Sequence, residues 1–150
     1  MPAMPQQFKL DVEIPDGLPK RVKLLCKTDR AVGMVQVIRK GGENHLHSHA
    51  HLDGVWTVLS GRARFYGEGN KLIAELGRYE GILIPRHFKY WFECASDDEP
   101  LVLHQVEASD VPILSPKDLM GTRFDNGDRK PTFEASLEGE FSSQNENVTR

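Results

Sequence analysis

Cysteine is nearly absent: Cys26 and Cys94 are the two in 150 residues, far apart and without metal-type spacing. That excludes a disulfide scaffold and a cysteine zinc site, and it suits a reducing, cytoplasmic setting. Long hydrophobic runs are also missing. No segment approaches the ~20 apolar residues that span a bilayer, and residues 1–10 hold no apolar stretch of signal-peptide length, so no membrane partner is expected. Neither sign of charge dominates: the net charge is −3, with acids and bases interspersed. No basic face offers itself to nucleic acid. No glycine-rich phosphate loop follows a strand and opens a helix; Gly67-x-Gly69 reads as a hairpin turn. A Gly-x-Ser-x-Gly elbow is lacking. Neither cysteine has a neighbouring base in sequence, which favours inert, buried thiols.

What the chain does have is a succession of short β-branched and aromatic runs, at 22–26, 33–39, 55–59, 62–66, 71–76, 81–84, 90–92 and 101–106. Turn signals such as Lys40-Gly41-Gly42, Ser60-Gly61 and Pro85-Arg86 separate them. Many short strands at ~8–12-residue spacing predict an all-β sandwich or barrel. Residues 1–20, with four prolines, read as an arm or a poorly packed edge segment. The barrel spans 21–126, with one short turn of helix at 115–120. From 127 to 150 the sequence becomes polar, as expected of a loosely held tail.

Four of the six histidines lie within seven residues: His45, His47, His49 and His51. On a strand this spacing puts all four on one face. Neutral imidazole is a common ligand for divalent transition metals. Three steps of two residues would span ~20 Å, far beyond the ~2.1 Å of a metal–nitrogen bond. Two or three of the four can therefore share an ion, unless the strand ends within the run.

Read from Gly41, the sequence runs Gly41, five residues, His47, one residue, His49, four residues, Gly54, six residues, Gly61. This resembles the first motif of the cupin superfamily, G-x5-H-x-H-x3,4-E-x6-G. Residues 79–94 resemble the second motif in degenerate form. The resemblance covers residues 33–107 and implies a cupin-type double-stranded β-helix, a jelly-roll barrel. It also implies a metal held by His47 and His49. The family's glutamate position is occupied by Gly54, its last histidine by Tyr90 and its asparagine by Cys94. His51, Asp53 and His104 are therefore the candidates to complete the shell. His104 qualifies if Val102, His104 and Val106 face inward. Tyr90 is expected as a weak ligand or as a catalytic acid/base group. His45 is expected outside the barrel mouth, His87 in a solvated turn, and Glu80 at a turn as a weaker candidate. Trp56, Val58, Ile82, Ile84 and Phe92 are expected to face inward, with Trp56 and Phe92 touching the substrate.

A histidine-rich, carboxylate-poor set suits Fe²⁺ first, then Zn²⁺, Ni²⁺ or Cu²⁺. The resemblance thus implies a metal-dependent enzyme acting on a small organic molecule, foremost a dioxygenase-type oxidoreductase. With zinc, a cyclase or isomerase is implied instead. The alternative from another class is a non-catalytic cupin that binds or senses a small ligand. A homodimer built through edge strands or the N-terminal arm is expected from family habit.

Overall fold

The computed structural model describes residues 4–131 and 133–139. In chain order the strands are β1 (Lys20–Lys27), β2 (Ala31–Ile38), β3 (His47–Ser48), β4 (Leu52–Ser60), β5 (Ala63–Tyr66), β6 (Leu72–Leu76), β7 (Gly81–Ile84), β8 (Trp91–Cys94), β9 (Leu101–Ser109), β10 (Thr122–Arg123) and β11 (Leu137–Glu138). Single turns of 3-10 helix occur at Glu68–Asn70 and Pro116–Leu119.

A six-stranded sheet runs β11-β1-β2-β9-β4-β7, and a three-stranded sheet runs β6-β5-β8. The short β3–β10 pair continues the smaller sheet, because His47 forms an antiparallel bridge with Tyr90, the residue before β8. Alternation on each strand turns one set of side chains into the space between the sheets. Trp56, Val58, Phe65, Ile84, Phe92, Leu101 and Leu103 fill it, with Ile82 packed alongside. The inward phase expected for β4, β7 and β8 therefore holds.

On β9 the inward phase is Leu101, Leu103, Gln105 and Glu107, one residue out of step with the expectation. Val106 is exposed, and His104 lies opposite Thr57 and Val35. The cause is the N-terminal segment. Instead of hanging loose, it covers the outer face of the large sheet: Leu10 and Ile14 pack against Val35, Val37 and Val102. Gln6 is hydrogen-bonded to the backbone of Lys27 in both directions. With both faces covered, β2 apart from Gln36 and the start of β9 are apolar, and alternation no longer marks which face is inside.

The polar end is also more structured than its composition implies. Leu137 pairs beside Val22 as β11, and Glu138 binds Arg21 through two hydrogen bonds of 2.9 Å. The Arg129 guanidinium lies 3.3 Å over the Trp91 ring and donates to Asn44 O at 2.7 Å. The large sheet thus takes a strand from beyond residue 126, at Leu137–Glu138. Residues 140–150 lie outside those described.

Candidate functional site

The histidine run does not form one strand. β3 ends at Ser48, and the chain turns before β4 begins at Leu52. The turn separates the four imidazoles. His47 and His49 stay together, their ring centroids 5.0 Å apart and their planes perpendicular. Tyr90, held beside His47 by the backbone bridge, brings its ring centroid to 4.4 Å from His47 and 6.5 Å from His49. All three border a cavity of about 400 Å³ at one mouth of the barrel. Its apolar lining comes from Val22 and Met34 on β1 and β2 and from Leu119, Met120, Phe133 and Leu137 in the C-terminal segments.

The tautomer of His47 follows from its surroundings. Nδ1 lies 2.8 Å from the carbonyl oxygen of His45, which can only accept, so Nδ1 carries the proton and the Nε2 lone pair remains free. Burial holds His47 down to about 4, helped by the neighbouring His49. Burial likewise holds His49 at about 4. Both rings are neutral at physiological pH. Burial and the nearby Glu107 raise the Tyr90 phenol well above its ordinary 10, so it keeps its proton and can donate it in a hydrogen bond.

The other expected ligands lie elsewhere. His51 is exposed and bonded to Asp110 at 2.9 Å, on the far side of the turn. His104 is on the outer face of β9, its ring 6.3 Å from that of Phe8 in the N-terminal segment. Asp53 accepts from the Arg86 backbone N–H at 2.9 Å. His87 sits in an exposed turn with φ +71°, and Glu80 accepts from Gly77 N. Trp56 and Phe92, expected to touch substrate, are sealed in the core behind Tyr90, 2% and 0% exposed, and do not border the cavity. Cys94 is buried among the backbone carbonyls of Ser96 and Glu99. His45, expected outside the mouth, borders the cavity.

Sequence reasoning missed a buried polar chain on the sheet side. Gln36 Nε2 donates to Gln105 Oε1 at 2.8 Å, and Gln105 Nε2 donates to Glu107 Oε1 at 2.6 Å. Both glutamines border the cavity. Glu107, 1% exposed, is paired directly opposite Gly54. A Cβ on Gly54 would lie 2.9 and 3.1 Å from the two Glu107 carboxylate oxygens and 3.1 Å from Trp56 Nε1. The space the family gives to a glutamate on β4 is thus taken by a carboxylate from β9. Burial pushes Glu107 up to about 7. A glycine inside a strand often marks such close approach, and Gly54 was the available signal.

A resident metal fits this set poorly. His47 and His49 provide two donors, but the described residues hold no group of three His, Cys, Asp or Glu side chains placed to share an ion. Glu107 is committed to Gln105, and its second oxygen, Oε2, is buried without a partner. A structural or catalytic transition-metal site normally has at least three protein ligands.

Two sheets closed into a barrel with these crossings make a double-stranded β-helix, and solved structures agree. An uncharacterised conserved protein with a double-stranded β-helix domain from Klebsiella pneumoniae is 20% identical, over 67% of this chain and 81% of that one, with a TM-score of 0.58. An RmlC-like cupin from Desulfovibrio desulfuricans is 19% identical over 70% and 96% of the two chains, also with a TM-score of 0.58. A cupin superfamily protein from Desulfitobacterium hafniense is 16% identical over 72% and 96%, with a TM-score of 0.56. The fold is that of the cupins. A scan against protein-family models finds no match, and a search of the curated proteins finds none. Among the described residues no helix is long and apolar enough to cross a membrane.

Proposed function

We propose that the chain is a small-ligand-binding cupin whose working site is the cavity at the barrel mouth. One observation carries this reading: two neutral imidazoles and a protonated phenol border a cavity of about 400 Å³ whose lining also includes Val22, Met34, Leu119, Met120, Phe133 and Leu137. An apolar enclosure with a few convergent polar groups is the usual form of a small-molecule site. The size and the apolar part of the lining suit a compact organic molecule, such as an aromatic or diketone, better than a free sugar. Cys26 and Cys94, both free thiols, are in keeping with a cytoplasmic setting.

A second reading, a metal-dependent enzyme of dioxygenase type, draws on the His47–His49 pair alone. Fe²⁺ comes first among its metals, then Zn²⁺, Ni²⁺ or Cu²⁺. Tyr90 would be its acid/base group. A zinc-dependent cyclase or isomerase shares that support. Each needs a third donor from outside the described set.

One titration separates the readings. With ¹⁵N-labelled protein, benzamide is expected to shift the imidazole signals of His47 and His49 while leaving those of His51 and His104 in place. Silence at His47 and His49 with both benzamide and its charged counterpart benzoate would refute the ligand site. Adding Zn²⁺ or Ni²⁺ to a parallel sample is expected to give only weak binding, on the order of 10⁻⁴ M or poorer for a two-histidine site. Tight 1:1 uptake lost in both His47→Ala and His49→Ala would instead favour the enzyme reading.

We also propose a homodimer. Leu83, Val55 and Val106 lie side by side across β7, β4 and β9 on the outer face of the large sheet and are exposed. A row of this kind beside a free sheet edge invites pairing. Sedimentation should give twice the chain mass for the wild type and the chain mass for Val55→Lys/Leu83→Lys; a wild-type monomer rejects the proposal.

A further inference from the structure

Lys20 opens β1 and borders the same cavity. Among the described residues its ammonium has no carboxylate within salt-bridge distance and no hydrogen-bond acceptor. Nζ lies over the Phe92 ring, 5.4 Å from its centroid. Such a cation–π contact gives only ~0.5–2 kcal/mol. Glu43, also on the cavity wall, acts on Lys20 through space but faces Arg129 as well, and its Oε2 is buried without a partner. The other cation on the wall, Arg123, is already paired with Glu134. Burial holds the Lys20 amine down to about 8, and its charge acts unfavourably on His45 and His47.

Lys20 is half-buried, and an ammonium drawn partly out of water with no close counter-ion is costly to keep. Here it stands in a cavity whose imidazoles are neutral and whose phenol is a hydrogen-bond donor. The wall's carboxylates do not serve it: Glu134 is held by Arg123, and Glu43 acts on Lys20 only through space, so the ammonium lacks an acceptor within hydrogen-bond reach. We propose that Lys20 anchors the acidic end of a small organic carboxylate, with the ligand's apolar body against Val22, Met34 and Leu119. One ammonium with neutral donors suits a monoanion. A phosphate would call for a free guanidinium or a nest of backbone N–H groups, and the cavity wall's arginine, Arg123, is taken.

This inference rests on the reading of the cavity as a ligand site, and its test separates the two. Benzoate and benzamide match in shape and differ in charge. The full chain is titrated with each at pH 7, followed through the His47 and His49 signals. Benzoate is expected to bind about tenfold more tightly or better. Lys20→Met should reduce that preference to near unity, and Lys20→Arg should keep it. A melting curve for each variant checks that folded chains are compared; Lys20→Met should melt no lower than the wild type, because it removes a half-buried charge that has no close partner. Equal binding of the two probes by the wild type, or a preference intact in Lys20→Met, overturns the role of Lys20 and leaves the cavity reading standing. No response to either probe overturns both.

Discussion

Lowering the pH from 7 to 4.5 is expected to destabilise the fold by about 2 kcal/mol, with His47 and His49 as the cause. Burial displaces each from an ordinary 6.5 to about 4. Between those values the unfolded chain binds protons that the native chain does not, so stability falls as the pH drops through the window. Glu107 opposes them. Its ordinary 4.5 is pushed up to about 7, so the native chain keeps a proton that the unfolded chain releases. Its contribution is fullest below 4.5 and is lost as the pH rises through 7. At about 1.4 kcal/mol per pH unit, each group is worth about 3 kcal/mol over this range, and two histidines outweigh one glutamate. Carboxylates held low by their partners, such as Asp97 and Asp118, titrate below the window. Urea midpoints measured from pH 4.5 to 7.5 check this. In His47→Gln/His49→Gln the slope should flatten or reverse, because Glu107 is then opposed only by His45, which burial also holds below its ordinary value; in Glu107→Gln the acid loss should steepen. A double variant that keeps the wild-type slope would show that the burden lies elsewhere.

Gly61→Ala should cost about 3 kcal/mol, a large fraction of the stability of a domain this size. Gly61 turns the chain between β4 and β5 with φ +77°. A Cβ there would sit 2.6 Å from the Pro100 carbonyl oxygen and 2.9 Å from Leu101 Cα, and both are backbone atoms that can yield only by moving β9. Left-handed conformation at a non-glycine residue costs ~1–2 kcal/mol, and overpacking adds ~1–3 kcal/mol. Gly69 is the internal control: its φ is +68°, but nothing lies within 4 Å of a Cβ placed there. Gly69→Ala should therefore incur the conformational cost alone, about 1 kcal/mol. Thermal or urea unfolding of the pair isolates the steric part, and equal losses would disprove it.

Gly61 also illustrates what a sequence can carry. Its spacing from His47 and His49 marks a tight turn after a strand, and turns, strand lengths and the apolar filling of the barrel are local properties. Strand β7 falls on residues 81–84 as the alternation indicates, and Trp56, Val58, Ile84 and Phe92 are buried as expected. His47 and His49 are neighbours as their i, i+2 spacing suggests, although β3 ends between them at Ser48.

The remainder of the site depends on what packs against what. His104 was misplaced because the N-terminal segment covers the outside of the sheet, so Val102 and Leu103 are both buried and the run on β9 carries no phase. His51 fell away because the chain turns after Ser48, and the Asp110–Arg86 pair that holds it comes from distant segments. Trp56 and Phe92 have the right phase but lie too deep, since Tyr90 closes the barrel above them. Glu107 stands opposite Gly54 through strand register, and Lys20 reaches the cavity because β1 lies beside β2. The sequence by itself determined the barrel, its turns and the neighbouring imidazoles, because these follow from backbone period and local sterics. Only the tertiary structure decided which polar groups share the cavity with them, because pairing between distant strands and the cover over the sheet set which side of each strand faces inward.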